Sequence, residues 1–414
     1  MPAITNNSPN RPGPRLPSVA VAVTLAAACA DDPGSVAGPF SHTPWTAAGP
    51  ELRIGTVEGD PDYIFGPVFA LEPGPDGMLY SLHFQEATVR RWTREGLPAG
   101  SVGRAGEGPG EFERPVDMGF FGDSLWVWDM GAYRASYFDL GGEFVGSASP
   151  PVAFGSLEES PPRPARPFRD GTFLGRQPAW SHLVATGELT ETSVVRMDAD
   201  GGNHTLLWNE PHEPRDGLAL MDDNGVTGSF GSQPFGDDVR HSVFGEGLIV
   251  VERRAWTGEG EPVVTLTRID LAGDTVFRRA IPYTPEPLPA ERLDSAIRAT
   301  TDAWHRDESG VTKDALEARI REATYKPAYL PAVGGARVMG DGNIWLERYS
   351  PVRSGTGEWL REWWILDIDG EPRARAHLPR DLRVMYVGEE AIWGTERDEL
   401  DVEYIVRYRL VKEG

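Results

Sequence analysis

The sequence predicts an all-β chain folded as a six-bladed β-propeller, and three observations carry that prediction. The first is a recurring phrase of strand, tight Asp-Gly or Gly-Asp turn, strand, loop and strand. It reads Pro75-Asp76-Gly77-Met78-Leu79-Tyr80 and returns as Gly122-Asp123-Ser124-Leu125-Trp126-Val127. The second is its period: Leu79 to Leu125 and Trp92 to Phe138 are each 46 residues apart. A repeat of about 40–50 residues made only of strands and turns is the signature of propeller blades. The third is composition. In a chain of 414 residues, 48 Gly and 36 Pro fit dense turns, and 13 Trp suit blade cores. A ring of blades grows by nearest-neighbour packing, so this length needs no division into several domains.

The units follow in order. The first places strands near Val68–Leu71, Met78–Phe84, Thr88–Thr93 and Ala99–Val102, and the second runs from Val116 to Ser149. The third is more diverged, with strands at Gly171–Gly175, Ser193–Asp198 and His204–Trp208. The fourth has Ser242–Phe244, Gly247–Glu252, Val263–Asp270 and Thr275–Ile281. The fifth has Ala336–Met339, Asp341–Leu346, Trp363–Asp367 and Arg373–Leu378, and the sixth has Leu382–Val387, Glu390–Thr395 and Tyr404–Val411. The sixth lacks a fourth strand, and Glu51–Gly55 is a spare strand before the first unit. Pairing the two closes the ring and covers an edge that would otherwise be open. One segment breaks the pattern. Between units four and five, about 288–325, Leu293 and Ile297, then Leu316 and Ile320, recur at helical spacing. Thr312 is placed to cap the second run, so a helical hairpin is expected there.

The N-terminal segment reads as an export signal over residues 1–28. Arg11 and Arg15 precede the apolar run Val19–Ala28, which is too short to span a bilayer. Cys29 follows directly and is the only cysteine in the chain. Small residues before a lone cysteine resemble the lipobox of bacterial lipoproteins, which implies lipidation at Cys29. Here Leu25 stands four residues before the cysteine, where the usual pattern has it three before. The competing reading is an ordinary secretory signal cut near Ala28. Residues 29–50 then form a flexible Pro-, Gly- and Ser-rich tether, and 51–414 the propeller. The membrane is met only through the lipid, since no later stretch is apolar enough to cross it.

A net charge of −23 disfavours nucleic acid and anionic membranes as partners. Against that background, Arg and aromatic residues gather in the loops after the second strands. These loops carry His83, Gln85 and Glu86; Asp129, Tyr133 and Arg134; Trp180 and His182; Arg253, Arg254 and Trp256; Arg348, Tyr349 and Arg353; and Glu396, Arg397 and Asp398. Such loops and the blade-to-blade connections leave a propeller on one face. Arg offers planar donor pairs for anions, and aromatic rings offer flat surfaces for sugars or peptides. The plainer alternative is that these charges pair with one another and tie the loops together.

The segment Gly103-Arg104-Ala105-Gly106-Glu107-Gly108-Pro109-Gly110-Glu111-Phe112-Glu113-Arg114-Pro115 is rich in glycine. No Lys-Ser/Thr and no helix follow it, so a phosphate cradle is disfavoured against a blade-to-blade turn with Phe112 plugging the seam. This phrase, with Asp341-Gly342-Asn343-Ile344-Trp345 and Asp398–Tyr404, resembles bacterial six-bladed, NHL-repeat-like propeller lipoproteins of unknown function. The resemblance spans about residues 50–412. It implies the fold and an exported location, in the periplasm or at the outer membrane, and no catalytic residues.

The eight histidines show no metal-binding spacing, and no Gly-x-Ser-x-Gly elbow is present. No cofactor is expected. Asp200-Gly201-Gly202-Asn203 and Asp367-Ile368-Asp369-Gly370 are the places a structural calcium ion would choose, although both also fit hairpin turns. The function expected is a monomeric binding module for a peptide, glycan or protein partner. The ligand candidates are Arg104, Glu111, His83, Arg134, Tyr133, Trp180, His182, Arg253, Arg348, Tyr349 and Arg397. A channel-face hydrolase or lyase is the alternative, with His83, His182, Arg104 and Glu111 converging on one water. A structural part of an envelope complex is the third.

Overall fold

The computed structural model describes residues 40, 43–152, 161–179, 181–221, 227–306 and 311–412. The chain is mostly β, its sheets are arranged as in a propeller, and its helices are few. Four sheets have four strands each, hydrogen-bonded in chain order. They begin with the inner strands Val68–Pro73, Pro115–Phe121, Arg163–Pro167 and Arg240–Phe244. A nine-stranded sheet, with Val333–Val338 at one end and Arg383–Val387 at the other, and two two-stranded sheets take the rest of the described strands.

The N-terminal strand explains how that large sheet arises. Trp45–Ile54 pairs antiparallel with Glu403–Val411, from Thr46 opposite Val411 to Ile54 opposite Ile405, with a register shift between Ala48 and Leu52. It begins at Trp45, inside the segment read from sequence as tether. The extra residues pair parallel with Pro372–Pro379, Trp45 opposite Ala376 and Thr46 opposite His377. One strand thereby completes a group of four with the last three strands and joins it to the group before it.

Apolar clusters lie between successive sheets. Tyr80, Leu82, Val102, Phe112, Leu125, Val127 and Phe138 bury the seam between the first and second. Trp126 and Trp128 meet Phe173 and Met197 between the second and third. Leu174, Val194, Leu248 and Val250 join the third to the fourth, and Ile249, Val251, Ile344 and Leu346 continue to the nine-stranded sheet. Ile54, Val68, Leu71, Trp92, Trp393 and Ile405 then link the C-terminal strands back to the first sheet. Phe112 is fully buried, and Gly103 beneath it has φ +70°. A Cβ there would stand 2.1 Å from the Phe112 ring, so only glycine allows this turn.

Three elements were not legible in advance. Arg163–Pro167 carries two prolines, which read as loop; as an inner edge strand it tolerates the missing donors. A short helix α1, Ser181–Thr186, and a two-stranded sheet, Gly217–Met221 with Thr227–Ser232, decorate the third sheet. The expected helical hairpin is α2, Ala290–Trp304, and α3, Lys313–Ala323; Thr312 caps α3 by accepting from the Ala315 amide. Its apolar stripe of Ile297, Leu316 and Ile320 rests on Leu220 of the two-stranded sheet.

Candidate functional site

The inner strands of all four four-stranded sheets, and both end strands of the nine-stranded sheet, line one cavity of about 630 Å³. Five of these strands break register near their start, at Val68/Ala70, Pro115/Asp117, Pro164/Arg166, Val333/Gly335 and Val384/Tyr386. A bulge on an unpaired edge twists the strand and re-aims the residue beyond it. Ala70, Asp117, Arg166 and Tyr386, each just past a bulge, all line the cavity.

The cavity is both charged and apolar. Phe69, Leu71, Met118, Val243, Phe244 and Met385 supply the apolar wall, while Glu72, Asp117, Arg166, His241, Arg337 and Arg383 supply the charge. Asp117 faces Arg166 at 3.4 Å and accepts from the Met118 amide at 3.0 Å. Asp117 keeps 34% of its side-chain surface open and lines the cavity. Burial raises its pKa, against the pull of Arg166. Burial also pushes the Glu72 carboxyl up to about 7, helped by the Asp117 charge and opposed by Arg166. His241 is held neutral, lowered to about 3 by burial and by Arg176 and Arg240.

The sequence-predicted residues do not converge on this cavity. His83 is fully buried, 2.8 Å from the Ser81 hydroxyl, which also accepts from the Trp92 indole. It is a core histidine. Arg253 is also buried and donates to the carbonyls of Asp238 and Val333 and to the Asp238 carboxylate. Asp129 is a clasp: its buried carboxylate accepts from the amides of Glu113, Arg114, Gly131 and Ala132. Arg104 pairs with Glu111 at 2.7 Å on the exposed Gly-rich turn, and Arg134 donates to the carbonyls of Glu107, Gly108 and Glu111 behind it. Tyr133 holds the turn beside it at φ +46°. Arg397 pairs with Asp401 and Glu403.

Arg348 and Tyr349 come nearest to the expectation. With Arg292 of α2 and Trp359 they line a separate depression of about 680 Å³ at the foot of the helical hairpin. Even so, Arg348 stacks on Trp364 and donates to the Ala332 carbonyl, and the Tyr349 hydroxyl donates to that of Pro234. Cys29 and Trp180 lie outside the described residues, and His182 falls within α1. The two Asp-Gly loops weighed for calcium are hairpin turns. Asp200 accepts from the Gly202 amide, and Asp367 from those of Asp369 and Glu371. Among the described residues no group of three His, Cys, Asp or Glu could hold a metal ion.

What the sequence did contain was a charge inside each of several apolar inner strands, as in Val68-Phe69-Ala70-Leu71-Glu72 and Arg383-Val384-Met385-Tyr386-Val387. A charged residue in such a run asks for a partner or a cavity.

Burial of His83 has a consequence for stability. Its pKa is lowered to about 4 mainly by burial, with Arg90 adding to that and Glu86 opposing it. The unfolded chain therefore takes up this proton first as pH falls, and the contribution of His83 to stability is lost between about 6.5 and 4. Glu72 acts with the opposite sign, losing stability as pH rises from about 4.5 to 7. Urea unfolding at pH 7 and pH 5 should show wild type losing more stability on acidification than His83→Gln. Identical losses would refute this assignment.

No family model matches the chain, and no curated protein matches it. Solved structures do. A member of the DUF4221 family from Bacteroides vulgatus is 13% identical with a TM-score of 0.46, covering 88% of this chain and 97% of its own. Virginiamycin B lyase from Staphylococcus aureus is 10% identical with a TM-score of 0.36, covering 87% and 99%. Regucalcin from Agrobacterium tumefaciens, a calcium-binding protein, is 10% identical with a TM-score of 0.37, covering 90% and 97%.

Proposed function

We propose that the chain is a six-bladed propeller acting as a binding module at the cell envelope, holding a small ligand in its central channel. The observation that carries this reading is the cavity itself. About 630 Å³ lies within the usual range for small-molecule sites, and its wall mixes apolar surface with a few placed charges. The nine-stranded sheet supplies the fifth and sixth blades, Trp45–Ile54 being the fourth strand of the sixth and pairing with the outer strand of the fifth. The loop-rich face above the channel is where a peptide, glycan or protein partner would meet it. A thermal-shift screen of sugars, lactones, peptides and organic acids tests the channel. At least one class should raise the melting temperature of wild type and fail to do so for Ser242→Trp, which fills the cavity. A shift that survives in Ser242→Trp places binding elsewhere.

The module is held to a membrane by lipid on Cys29. Among the described residues no helix is long and apolar enough to cross a membrane. Metabolic labelling with a lipid precursor should mark wild type and leave Cys29→Ala unmarked. Equal labelling of both would end the lipobox reading.

A further inference from the structure

The channel carries positive charge inside a strongly acidic protein. Three guanidinium groups, Arg166, Arg337 and Arg383, line it against two carboxyl groups, Glu72 and Asp117. Arg166 is matched by Asp117. Among the described residues neither Arg337 nor Arg383 has a carboxylate within salt-bridge distance. Each makes a single hydrogen bond among the described residues, Arg337 Nη1 to the Val384 carbonyl at 3.2 Å and Arg383 Nη1 to the Val68 carbonyl at 3.3 Å. A guanidinium has five N–H donors, so most of their capacity stays open to the cavity. The bond from Arg337 to Val384, the neighbour of Arg383, also sets the two cations close together; burial lowers the Arg337 pKa, Glu347 opposes that, and Arg383 adds to it.

One account of these contacts is that each arginine ties its strand to the next across the channel wall. That uses one donor apiece and explains why the stems are held. It does not explain why two adjacent cations, both exposed along the cavity wall and neither touching a carboxylate among the described residues, stand where like charges repel. A carboxylate placed between them would satisfy both, through short charge-assisted bonds that guanidinium geometry favours. The rest of the wall limits what such an anion carries. Phe69, Met118, Phe244 and Met385 present apolar surface to the same space.

We propose that the channel binds an organic acid, its carboxylate held by Arg337 and Arg383 and its apolar body against that wall. This rests on the channel being a ligand site.

Calorimetric titration of the full chain with naphthalene-2-carboxylate, and with its neutral isostere naphthalene-2-carboxamide, tests it. The acid should bind at least about tenfold more tightly than the amide, the scale of one charge-assisted pair. The preference should vanish in Arg337→Gln/Arg383→Gln. If that variant does not fold, wild type alone suffices: inorganic phosphate should weaken binding of the acid and not of the amide. Equal affinity for acid and amide, both lost in Ser242→Trp, would overturn the anion site and leave the ligand channel standing. Binding of neither probe would overturn the organic-acid assignment, while the channel would still be judged by the wider screen.

Discussion

A chain that begins at Thr56 should fail to melt cooperatively and should self-associate. Without Trp45–Ile54, the strands Glu403–Val411 and Pro372–Pro379 each lose a hydrogen-bonded partner and present bare edges. The same deletion takes Ile54 out of the cluster with Val68, Leu71, Trp92, Trp393 and Ile405, which is the only apolar cluster described above that joins the last strands to the first sheet. Ile54 is 1% exposed. The milder change Ile54→Ala should therefore cost about 2–5 kcal/mol through lost burial and the cavity left behind. Calorimetry and size-exclusion chromatography decide it. A single sharp transition from monomer, within a few degrees of the full chain, would show that the ring closes without this strand.

Asp237→Ala should be the most damaging single change on the loop-rich face, at about 3–5 kcal/mol in urea unfolding. The Asp237 side chain is fully buried. It accepts from the Ala255 amide at 2.8 Å, from the Tyr325 hydroxyl at 3.2 Å and from Arg254 at 3.2 Å. Arg254 is also held by both oxygens of Asp216, and Arg215 meets the Tyr325 hydroxyl. These residues come from the connection before the fourth sheet, the loop after its second strand, and the end of the helical hairpin. Removing the carboxylate leaves a half-buried guanidinium and a buried amide short of partners in three segments at once. Asp237→Asn keeps the shape and one acceptor and should cost less. Equal stability of Asp237→Ala and wild type would show that solvent replaces the lost contacts.

This hub also shows where reading the sequence succeeded and where it stopped. Arg253, Arg254 and Asp129 were marked because charges and aromatics gather in the loops. Arg253 and Arg254 do stand in a loop and pair with carboxylates, as the plainer alternative has it, whereas Asp129 ends a strand and accepts from backbone amides. Burial separates a ligand-facing arginine from a fold-holding one. Burial depends on which loop lies over which, and nothing within a few residues of Arg253 announces that Val333 will stand above it. His83 fails for the same reason: its partners Ser81 and Trp92 are near in sequence, but the ring of Phe65 that closes over it is set by the first sheet's packing.

The sequence by itself determined the strand units, the Asp-Gly hairpins, the helical hairpin with its Thr312 cap, and the pairing of a spare N-terminal strand with the last unit. These follow from local rules: period-two alternation, turn residues with positive φ, and helical spacing, all acting over a few residues. Tertiary structure alone decided the contents of the channel. Glu72, Asp117, Arg166, Arg337 and Arg383 lie tens to hundreds of residues apart and become neighbours only because the inner strands surround one axis. The bulges that turn Asp117, Arg166 and Tyr386 toward that axis depend on each strand lacking a partner on its inner side. That condition exists only once the blades stand around the channel.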